Sequence, residues 1–158
     1  MTIAIAGISG FVGKVLSKYL QSEEYSVIPI LRNDFVKGEN QLVKKINNVD
    51  VLINLTGSPI LKRWTKKHKQ IIYESRINTT SLLVNSIAKA SLQPKVFINA
   101  SAIGIYSNKG IHNETSVIDA DNFLSNICLE WERAANKAAD YGVRTLILRF
   151  GVLLSKEG

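Results

Sequence analysis

Short apolar runs alternate with amphipathic stretches along the chain, and this alternation predicts its secondary structure. Residues 2–6 form a short apolar run followed by glycine, which is typical of a buried strand. Apolar residues then recur at helical spacing over residues 11–20, so a helix is predicted directly after a tight turn. A second strand is predicted at residues 25–31, and we expect a very short strand at residues 35–36 before a helix at residues 40–46.

The second half of the chain continues the alternation with longer helices. Further buried strands are predicted at residues 50–55, 95–100 and 144–150. Residues 65–91 contain neither glycine nor proline and predict one long helix, straight or bent, that Pro94 ends. Residues 123–141 predict a helix that ends at Gly142 in a left-handed cap. Strands that alternate with helices predict an α/β fold with a doubly wound parallel sheet covered by helices on both faces.

Length and composition agree with one globular domain over residues 1–158. Hydrophobic residues make up 46% of the chain, and its single cysteine, Cys128, cannot form an internal disulfide. No apolar run approaches the roughly 20 residues that span a bilayer, and no signal-peptide pattern is present, so we expect a cytoplasmic protein. The net charge of +7 favours anionic partners without choosing among nucleic acid, an acidic membrane surface and a phosphorylated small molecule.

The stretch GISGFVG, residues 7–13, is the first candidate for chemistry, because ligands bind at the carboxyl end of the first parallel strand in such sheets. Gly7 permits the sharp exit from the strand, and Gly10 removes a Cβ where a pyrophosphate must approach. Gly13 lets the helix pack close to the sheet. A tight turn without a ligand is the alternative. The strand before the turn, the helix after it and the next strand favour dinucleotide binding and a Rossmann-like fold.

The end of the second predicted strand bears on which dinucleotide binds. An acidic residue there would bond the ribose 2′-hydroxyl of NAD, whereas an arginine accommodates the 2′-phosphate of NADP. The chain has Arg32 at this point and Asp34 two positions later, which competes for the same place. An ordinary solvated side chain is the other interpretation of Arg32. The pattern therefore favours NADP(H) over NAD(H).

Five further blocks carry a resemblance to a known family. They are NLTGSPILKRWTKKHKQ from residue 54, SRINTTSLLVNSI from residue 75, INASAIGIY from residue 98, CLEWERAA from residue 128 and LRFGVLLSKEG from residue 148. With the Gly7-x-x-Gly10-x-x-Gly13 spacing, the chain resembles the atypical, nucleoside-diphosphate-sugar-epimerase-like branch of the extended short-chain dehydrogenases/reductases. The resemblance spans essentially the whole chain and is more specific than the glycine loop.

The resemblance implies a set of residues that bind the dinucleotide. Around the pyrophosphate they are Gly7, Ser9, Gly10, Phe11, Val12 and Gly13. Elsewhere they are Leu31 and Arg32 beside the adenosine ribose, Leu55 and Thr56 along the dinucleotide, Arg76 as a further charged contact, and Val152 near the nicotinamide. The alternatives are that Leu55 and Val152 are core residues and that Arg76 is a surface cation.

The catalytic pair of the wider superfamily is missing at its expected positions. That pair is Tyr-x-x-x-Lys, in which the lysine lowers the tyrosine pKa and holds the nicotinamide ribose while the tyrosine transfers a proton. The corresponding residues here are Leu124 and Cys128, and neither does that work. Ser101 stands where the superfamily has its catalytic serine, and Tyr106 is a candidate proton donor with Lys109 its nearest cation in sequence. A structural serine and a loop-packing tyrosine are the alternative.

A basic segment and two histidines were also considered as candidate sites. Residues 61–69, LKRWTKKHK, concentrate positive charge around a tryptophan, which suits nucleic acid, but their place in a family block favours an anionic-substrate or structural role. His68 and His112 lie far apart without other ligands at suitable spacing, so no metal site is predicted. We expect a small-molecule substrate as the partner, and neither nucleic acid nor a membrane.

Two functions are compatible with the sequence. The first is an NADP(H)-dependent oxidoreductase or epimerase-like enzyme with a small, nucleotide-sugar-like substrate, which Ser101 and Tyr106 favour. The second is a non-catalytic dinucleotide-binding module, a redox sensor or assembly partner, which Leu124 and Cys128 favour. Members of the family continue beyond the last strand into a substrate-binding region. We therefore expect this chain to lack that region and to expose a sheet edge through which it forms oligomers.

Overall fold

Five parallel strands form the centre of the molecule. The computed structural model describes residues 1–116, 118 and 121–154, and its strands are β1 (Thr2–Ala6), β2 (Ser26–Ile30), β3 (Val51–Asn54), β4 (Val96–Ala102) and β5 (Arg144–Phe150). They form one sheet in the order β2-β1-β3-β4-β5, so the strand order reverses at β1. Ile3 pairs with Val27 on one side and Val51 on the other. The carboxyl ends of β1, β2 and β3 therefore meet at one edge.

Helices connect these strands and cover both faces of the sheet. They are α1 (Phe11–Ser22), α2 (Arg32–Val36), α3 (Glu39–Ile46), α4 (Lys66–Tyr73), α5 (Thr79–Lys89) and α6 (Phe123–Asn136). A π-helical segment, Glu74–Asn78, joins α4 to α5, and short 3₁₀ segments follow β4 and α6. In the part of the chain that the structure describes, no helix is long and apolar enough to cross a bilayer. The predicted doubly wound α/β fold is confirmed.

Alternation along the strands divides the core between the two faces of the sheet. The face beneath α1 carries Ile3, Ile5 and Ile53. The opposite face, beneath α3, α5 and α6, carries Ala4, Ala6, Leu52 and Phe97. The edge strand β5 is the least covered, since Leu148 in that strand is 42% exposed.

Residues 32–36 are helical, so the predicted short strand at residues 35–36 is wrong. Asp34 is the third residue of α2, and its carboxylate accepts a hydrogen bond from the Leu31 N–H at the start of the helix (2.8 Å). This capping contact stabilises the helical turn. A two-residue apolar run is too short for its hydrophobic pattern to distinguish strand from helix.

The long helix predicted for residues 65–91 is present but is interrupted by the π-helical segment. The Thr65 side chain accepts a hydrogen bond from the His68 N–H (3.1 Å), so it caps the start of α4. The last predicted helix ends at Gly142, which has a φ of 78°. The left-handed cap predicted at this glycine is therefore confirmed.

Candidate functional site

A crevice of about 520 Å³ opens where the carboxyl ends of β1, β2 and β3 meet. Its walls are the glycine turn after β1, the start of α2, the loop after β3 and the helical residues near the π-helical segment. The residues predicted to bind a dinucleotide that line it are Gly7, Ser9, Gly10, Leu31, Arg32, Leu55 and Thr56. Phe11, Val12 and Gly13 form the first turn of α1 beside it, whereas Arg76 and Val152 lie outside its lining.

Close packing fixes the glycine turn. Gly7 has a φ of 82°, and a Cβ there would lie 2.7 Å from the carbonyl carbon of Leu55. A Cβ on Gly13 would collide with the carbonyl oxygen of Gly7 and the backbone of Ile8, so only glycine lets α1 begin this close to β1. Gly10 is the N-cap of α1, and no side chain caps the helix. The N–H groups of its first turn are therefore available to an anion such as phosphate.

The residues after β2 have distinct roles in the structure. Arg32 lines the crevice and is exposed. Asp34 is 8% exposed, and its carboxylate accepts hydrogen bonds from the Leu31 N–H (2.8 Å) and Gln41 Nε2 (3.0 Å). Burial alone would raise the pKa of Asp34, but these hydrogen bonds and nearby lysines hold the pKa below its usual value. Asp34 is therefore engaged in capping α2.

A buried hydrogen-bond network holds the loop after β3. Asn54 is fully buried, and its Oδ1 accepts hydrogen bonds from the N–H (3.1 Å) and hydroxyl (2.6 Å) of Thr56. Its Nδ2 donates to Thr80 Oγ1 (2.9 Å) and Asn99 Oδ1 (2.7 Å), and Trp131 Nε1 donates to the same Thr80 oxygen (2.9 Å). The side chain of Asn54 thus makes all its hydrogen bonds. Sequence reasoning missed Asn54, because a polar residue inside an apolar strand has no periodic signal.

Arg76 lies in the π-helical segment, behind the loop after β3. Its Nη1 donates to the carbonyl oxygens of Ser58 (3.1 Å) and Ile72 (3.4 Å). Its guanidinium carbon lies 5.2 Å from the ring centre of Trp131. Burial lowers the pKa of Arg76. In the same segment, the Ser75 hydroxyl accepts a hydrogen bond from the Ser58 N–H (2.9 Å), so two consecutive side chains hold this loop.

Ser101 and Tyr106 lie at the two ends of one polar network. The hydroxyl of the buried Ser101 donates to Glu132 Oε1 (2.6 Å). Arg149 donates to both carboxylate oxygens of Glu132 at 2.8 Å, and its Nη1 donates to the phenol oxygen of Tyr106 (2.5 Å). The hydrogen bonds to Glu132 and Tyr106 raise the pKa of Arg149, so it stays a cation. The cation beside Tyr106 is therefore Arg149 on β5, where the sequence suggested Lys109.

A second cavity, of about 610 Å³, opens beside this network. Tyr106, His112 and Arg149 line it together with apolar residues of β5. The Tyr106 ring stacks on His112 with ring centres 5.1 Å apart. Arg149 donates to the phenol oxygen, and the phenol O–H makes no hydrogen bond to the described residues, so it can donate to an acceptor in the cavity that Tyr106 lines.

The positions of the missing Tyr-x-x-x-Lys pair lie on α6. Cys128 is 5% exposed, and burial together with Glu132 raises the pKa of its thiol, although Arg76 and Arg149 oppose this effect. Leu124 lies beside Gly104. Neither residue supplies a cation, Leu124 has no proton to transfer, and the Cys128 thiol is buried.

The basic segment predicted at residues 61–69 leads into α4. The Trp64 ring packs on Phe123 with ring centres 5.5 Å apart, and the Lys69 ammonium lies 4.9 Å from the centre of the Phe123 ring. This places part of the positive charge against the start of α6. Val152 follows β5 and is 85% exposed, and residues 155–158 of the last family block lie outside the described residues.

Comparison with sequences of known proteins identifies the family. The model of the NAD-dependent epimerase/dehydratase family matches residues 3–157. An epimerase family protein of Staphylococcus haemolyticus is 31% identical over 98% of this chain, and the epimerase family protein YfhF of Bacillus subtilis is 34% identical over 100% of it. The chain spans 56% and 57% of these two relatives, about half their length.

Solved structures agree with the sequence comparison. Human epimerase family protein SDR39U1 (isoform 2), crystallised with NADPH, is 25% identical with a TM-score of 0.84, and the match covers 100% of this chain and 56% of that one. The nucleoside-diphosphate sugar epimerase of Corynebacterium glutamicum is 32% identical with a TM-score of 0.82, over 100% and 35% of the two chains. The resemblance inferred from the motifs is confirmed: the chain belongs to the NAD-dependent epimerase/dehydratase family.

Proposed function

We propose that this chain binds NADP(H) in the crevice at the ends of β1, β2 and β3, as the dinucleotide-binding domain of an oxidoreductase or epimerase-like enzyme. The observation that carries the proposal is the glycine turn. Gly7 and Gly13 admit no Cβ, and the uncapped start of α1 lies beside the crevice. The human relative that matches the whole chain was crystallised with NADPH, which supports the same cofactor class here.

The residues of the crevice fit a nicotinamide dinucleotide. The N–H groups of the glycine turn and of the first turn of α1 hold the pyrophosphate, with the Ser9 hydroxyl as a further donor. Leu31 and Leu55 provide apolar walls on either side, and about 520 Å³ suits a cofactor site. When bound, the dinucleotide supplies the hydride chemistry, and the protein supplies position and polarity.

The charges after β2 support a preference for NADP(H). Arg32 is exposed at the crevice, where a 2′-phosphate would meet it. Asp34, the competing acid, is buried and uses its carboxylate to cap α2. The charges of Lys37 and Lys45 act on the same region and also favour an anion. These arrangements support NADP(H) over NAD(H).

Tyr106 is the proposed proton donor, and Ser101 supports it through Glu132 and Arg149. The Ser101 hydroxyl donates to a carboxylate and is 3% exposed, so its hydrogen is already engaged. Tyr106 lines an open cavity and has its phenol hydrogen available. The relative from Corynebacterium glutamicum is a nucleoside-diphosphate sugar epimerase, which supports a small, nucleotide-sugar-like substrate for this chain.

Calorimetric titration of the chain with NADPH and then NADH tests the proposal. We expect NADPH to bind more tightly than NADH and Gly10→Val to abolish binding of both, because the new side chain stands where a phosphate must approach. A far-UV circular dichroism spectrum like that of the original chain shows that Gly10→Val still folds. Absence of binding by the unmodified chain would refute the proposed function.

A non-catalytic dinucleotide-binding module is the second candidate, and the uncharged Leu124 and Cys128 favour it. The two functions differ in the role of Tyr106. For the enzyme, NADPH oxidation with UDP-4-keto-sugars, whose carbonyl accepts the hydride and a proton, is expected to fall about 100-fold in Tyr106→Phe, because the proton donor is lost. If the chain is a non-catalytic module, the unmodified chain and Tyr106→Phe both bind NADPH and neither oxidises it.

A further inference from the structure

The basic segment, residues 61–69, carries several cations and no acid. The cations are Lys62, Arg63, Lys66, Lys67 and Lys69. No acidic residue lies between Asp50 and Glu74 in the sequence. Within the described residues, the ion pairs of 4 Å or less involve other lysines and arginines, so none of these cations is paired. Such a concentration of uncompensated charge attracts an anionic ligand.

The first turn of α4 places part of this charge where it does not stabilise the helix. Lys66 and Lys67 are the first two residues of α4, and the turn contains no acidic residue, although cations are unfavourable at a helix N-terminus. Lys66 and Lys69 are three positions apart, so they are neighbours on the helix surface and repel each other. An anion bound between these two lysines would offset both effects.

The basic segment lies between the crevice and the start of α6. On the crevice side, His68 Nε2 is 3.0 Å from the carbonyl oxygen of Pro59, a residue of the crevice lining. On the other side, Trp64 and the Lys69 ammonium both contact the ring of Phe123, the first residue of α6. A molecule that extends from the crevice to the start of α6 would therefore meet Lys69.

The start of α6 also adjoins the loop that carries Tyr106, and the next step rests on the proposed function. A Cβ on Gly104, two residues before Tyr106, would lie 4.0 Å from the Leu124 side chain in the first turn of α6. In a nucleotide sugar, the sugar ring separates the diphosphate on C1 from a reacting carbonyl at C4. A substrate held with C4 at Tyr106 therefore needs cations one sugar ring away, and Lys69 supplies a cation at this end of α6.

We propose that Lys66 and Lys69 bind the diphosphate of the nucleotide-sugar substrate, and that the other cations of the basic segment attract this anionic substrate to the site. The two lysines are then substrate-binding residues, distinct from the residues that hold the dinucleotide. Lys69 is half-buried against Phe123, so less side-chain freedom is lost when it binds a phosphate. The exposed cations around it accelerate association with an anion.

Calorimetric titration of the NADPH-saturated chain with UDP tests this assignment. In the double variant Lys66→Gln/Lys69→Gln, we expect the affinity for UDP to fall about tenfold, because two exposed charge contacts are lost. The affinity for NADPH is expected to stay within about twofold. Lys66→Arg/Lys69→Arg keeps both charges, and we expect its UDP affinity to stay within about threefold of the original.

The matched control is Arg133→Gln/Lys137→Gln, which also removes two exposed cations but at the other end of α6. We expect its UDP affinity to change less than about twofold. Equal losses in the two glutamine variants would show that only the net charge matters, and the assignment would be wrong. If the chain binds NADPH but not UDP, this inference fails and the proposed function stands. If it does not bind NADPH, the proposed function itself fails.

Tryptophan fluorescence locates the bound UDP. Trp64 contacts the same ring as Lys69 and is 40% exposed, whereas Trp131 is 5% exposed. We expect UDP to change the tryptophan emission of the NADPH-saturated chain, and Trp64→Phe to remove that change. A change that persists in Trp64→Phe would place UDP away from the basic segment and contradict the assignment.

A single-stranded oligothymidylate distinguishes a substrate site from a nucleic-acid surface. At physiological salt we expect it to bind more weakly than UDP, because the proposed site holds one diphosphate and not a continuous phosphate backbone. Binding tighter than that of UDP, and lost in Lys66→Gln/Lys69→Gln, would assign the basic segment to nucleic acid and overturn the proposal.

Discussion

Arg32 and Asp34 are two positions apart, yet the fold gives their side chains opposite surroundings. Arg32 is exposed at the crevice, while Asp34 is buried beneath the start of α2. The sequence pattern identified both residues as candidates for the ribose site. The pattern did not decide which of the two residues faces the ribose, because the capping role of Asp34 depends on its hydrogen bonds with Leu31 and Gln41. The apolar pattern had also assigned residues 35–36 to a strand, where no helix cap is expected.

Replacing Arg32 changes the choice of cofactor. In Arg32→Ala we expect the affinity for NADPH to fall about tenfold and the affinity for NADH to stay within about twofold, because only NADPH carries the 2′-phosphate. Calorimetric titration with each ligand measures both changes. Arg133→Ala removes an exposed arginine of α6 and serves as the matched control. Equal losses for the two ligands in Arg32→Ala would contradict a phosphate contact.

Asp34 makes the stability of the protein depend on pH. The pKa of Asp34 lies below its ordinary value of 3.8, so its ionised form stabilises the fold above that value, and the contribution is lost as pH falls through the folded pKa. We expect Asp34→Asn to lower the free energy of unfolding at pH 7 by about 1 kcal/mol, as for loss of a helix cap. Urea unfolding from pH 7 to pH 3 should show this difference shrinking with acid. A difference that grows with acid would rule out the assigned role.

At the scale of elements, α1 begins close to β1 because Gly13 has no side chain. A Cβ on Gly13 would meet the backbone of Gly7 and Ile8, which cannot move without displacing the helix. We expect Gly13→Ala to destabilise the protein by about 3 kcal/mol and to abolish NADPH binding. Urea unfolding and calorimetry measure the two effects.

Gly104→Ala is the control for this substitution, because its Cβ would meet Leu124 at an ordinary 4.0 Å. We expect a change within about 0.5 kcal/mol there. Similar stability losses in the two variants would show that close packing does not explain the glycine at position 13.

Elements with long, regular patterns were the ones that the sequence predicted well. All five strands of the sheet and the cap at Gly142 were predicted, because apolar runs bounded by glycine or polar residues leave few alternatives. The π-helical segment Glu74–Asn78 was missed as such. Its residues follow the same pattern as an ordinary helix. The wider π-helical turn depends on how α4 and the segment itself pack against β4 and α6, which the sequence pattern does not contain.

At the scale of the molecule, one part of the candidate site was predictable from the sequence and another part was not. The glycine turn is contained in seven consecutive residues, so its chemistry was visible in the sequence. The network of Ser101, Glu132, Arg149 and Tyr106 joins residues that are 17 to 43 positions apart. Their proximity follows from the pairing of β4 with β5 and the packing of α6, which no local pattern contains.

The position of β5 at the edge of the sheet predicts that two copies of the chain associate. On its outer side no strand pairs with β5 among the described residues, and Leu148 near its end is 42% exposed. We expect light scattering at micromolar concentration to give twice the chain mass of 17.5 kDa. Leu148→Lys adds a charge at this edge and is expected to return the monomer mass. A monomer mass for the unmodified chain would contradict pairing through β5.

Trp131 and Glu132 are adjacent in α6, and they contact different parts of the molecule. Trp131 bonds Thr80, which supports the loop of the crevice through Asn54, whereas Glu132 bonds Ser101 and Arg149. A helix rises about 1.5 Å per residue, so a slide of α6 by one residue would break both sets of contacts together. A variant that shifts α6 is therefore expected to disturb the crevice loop and the Tyr106 network together.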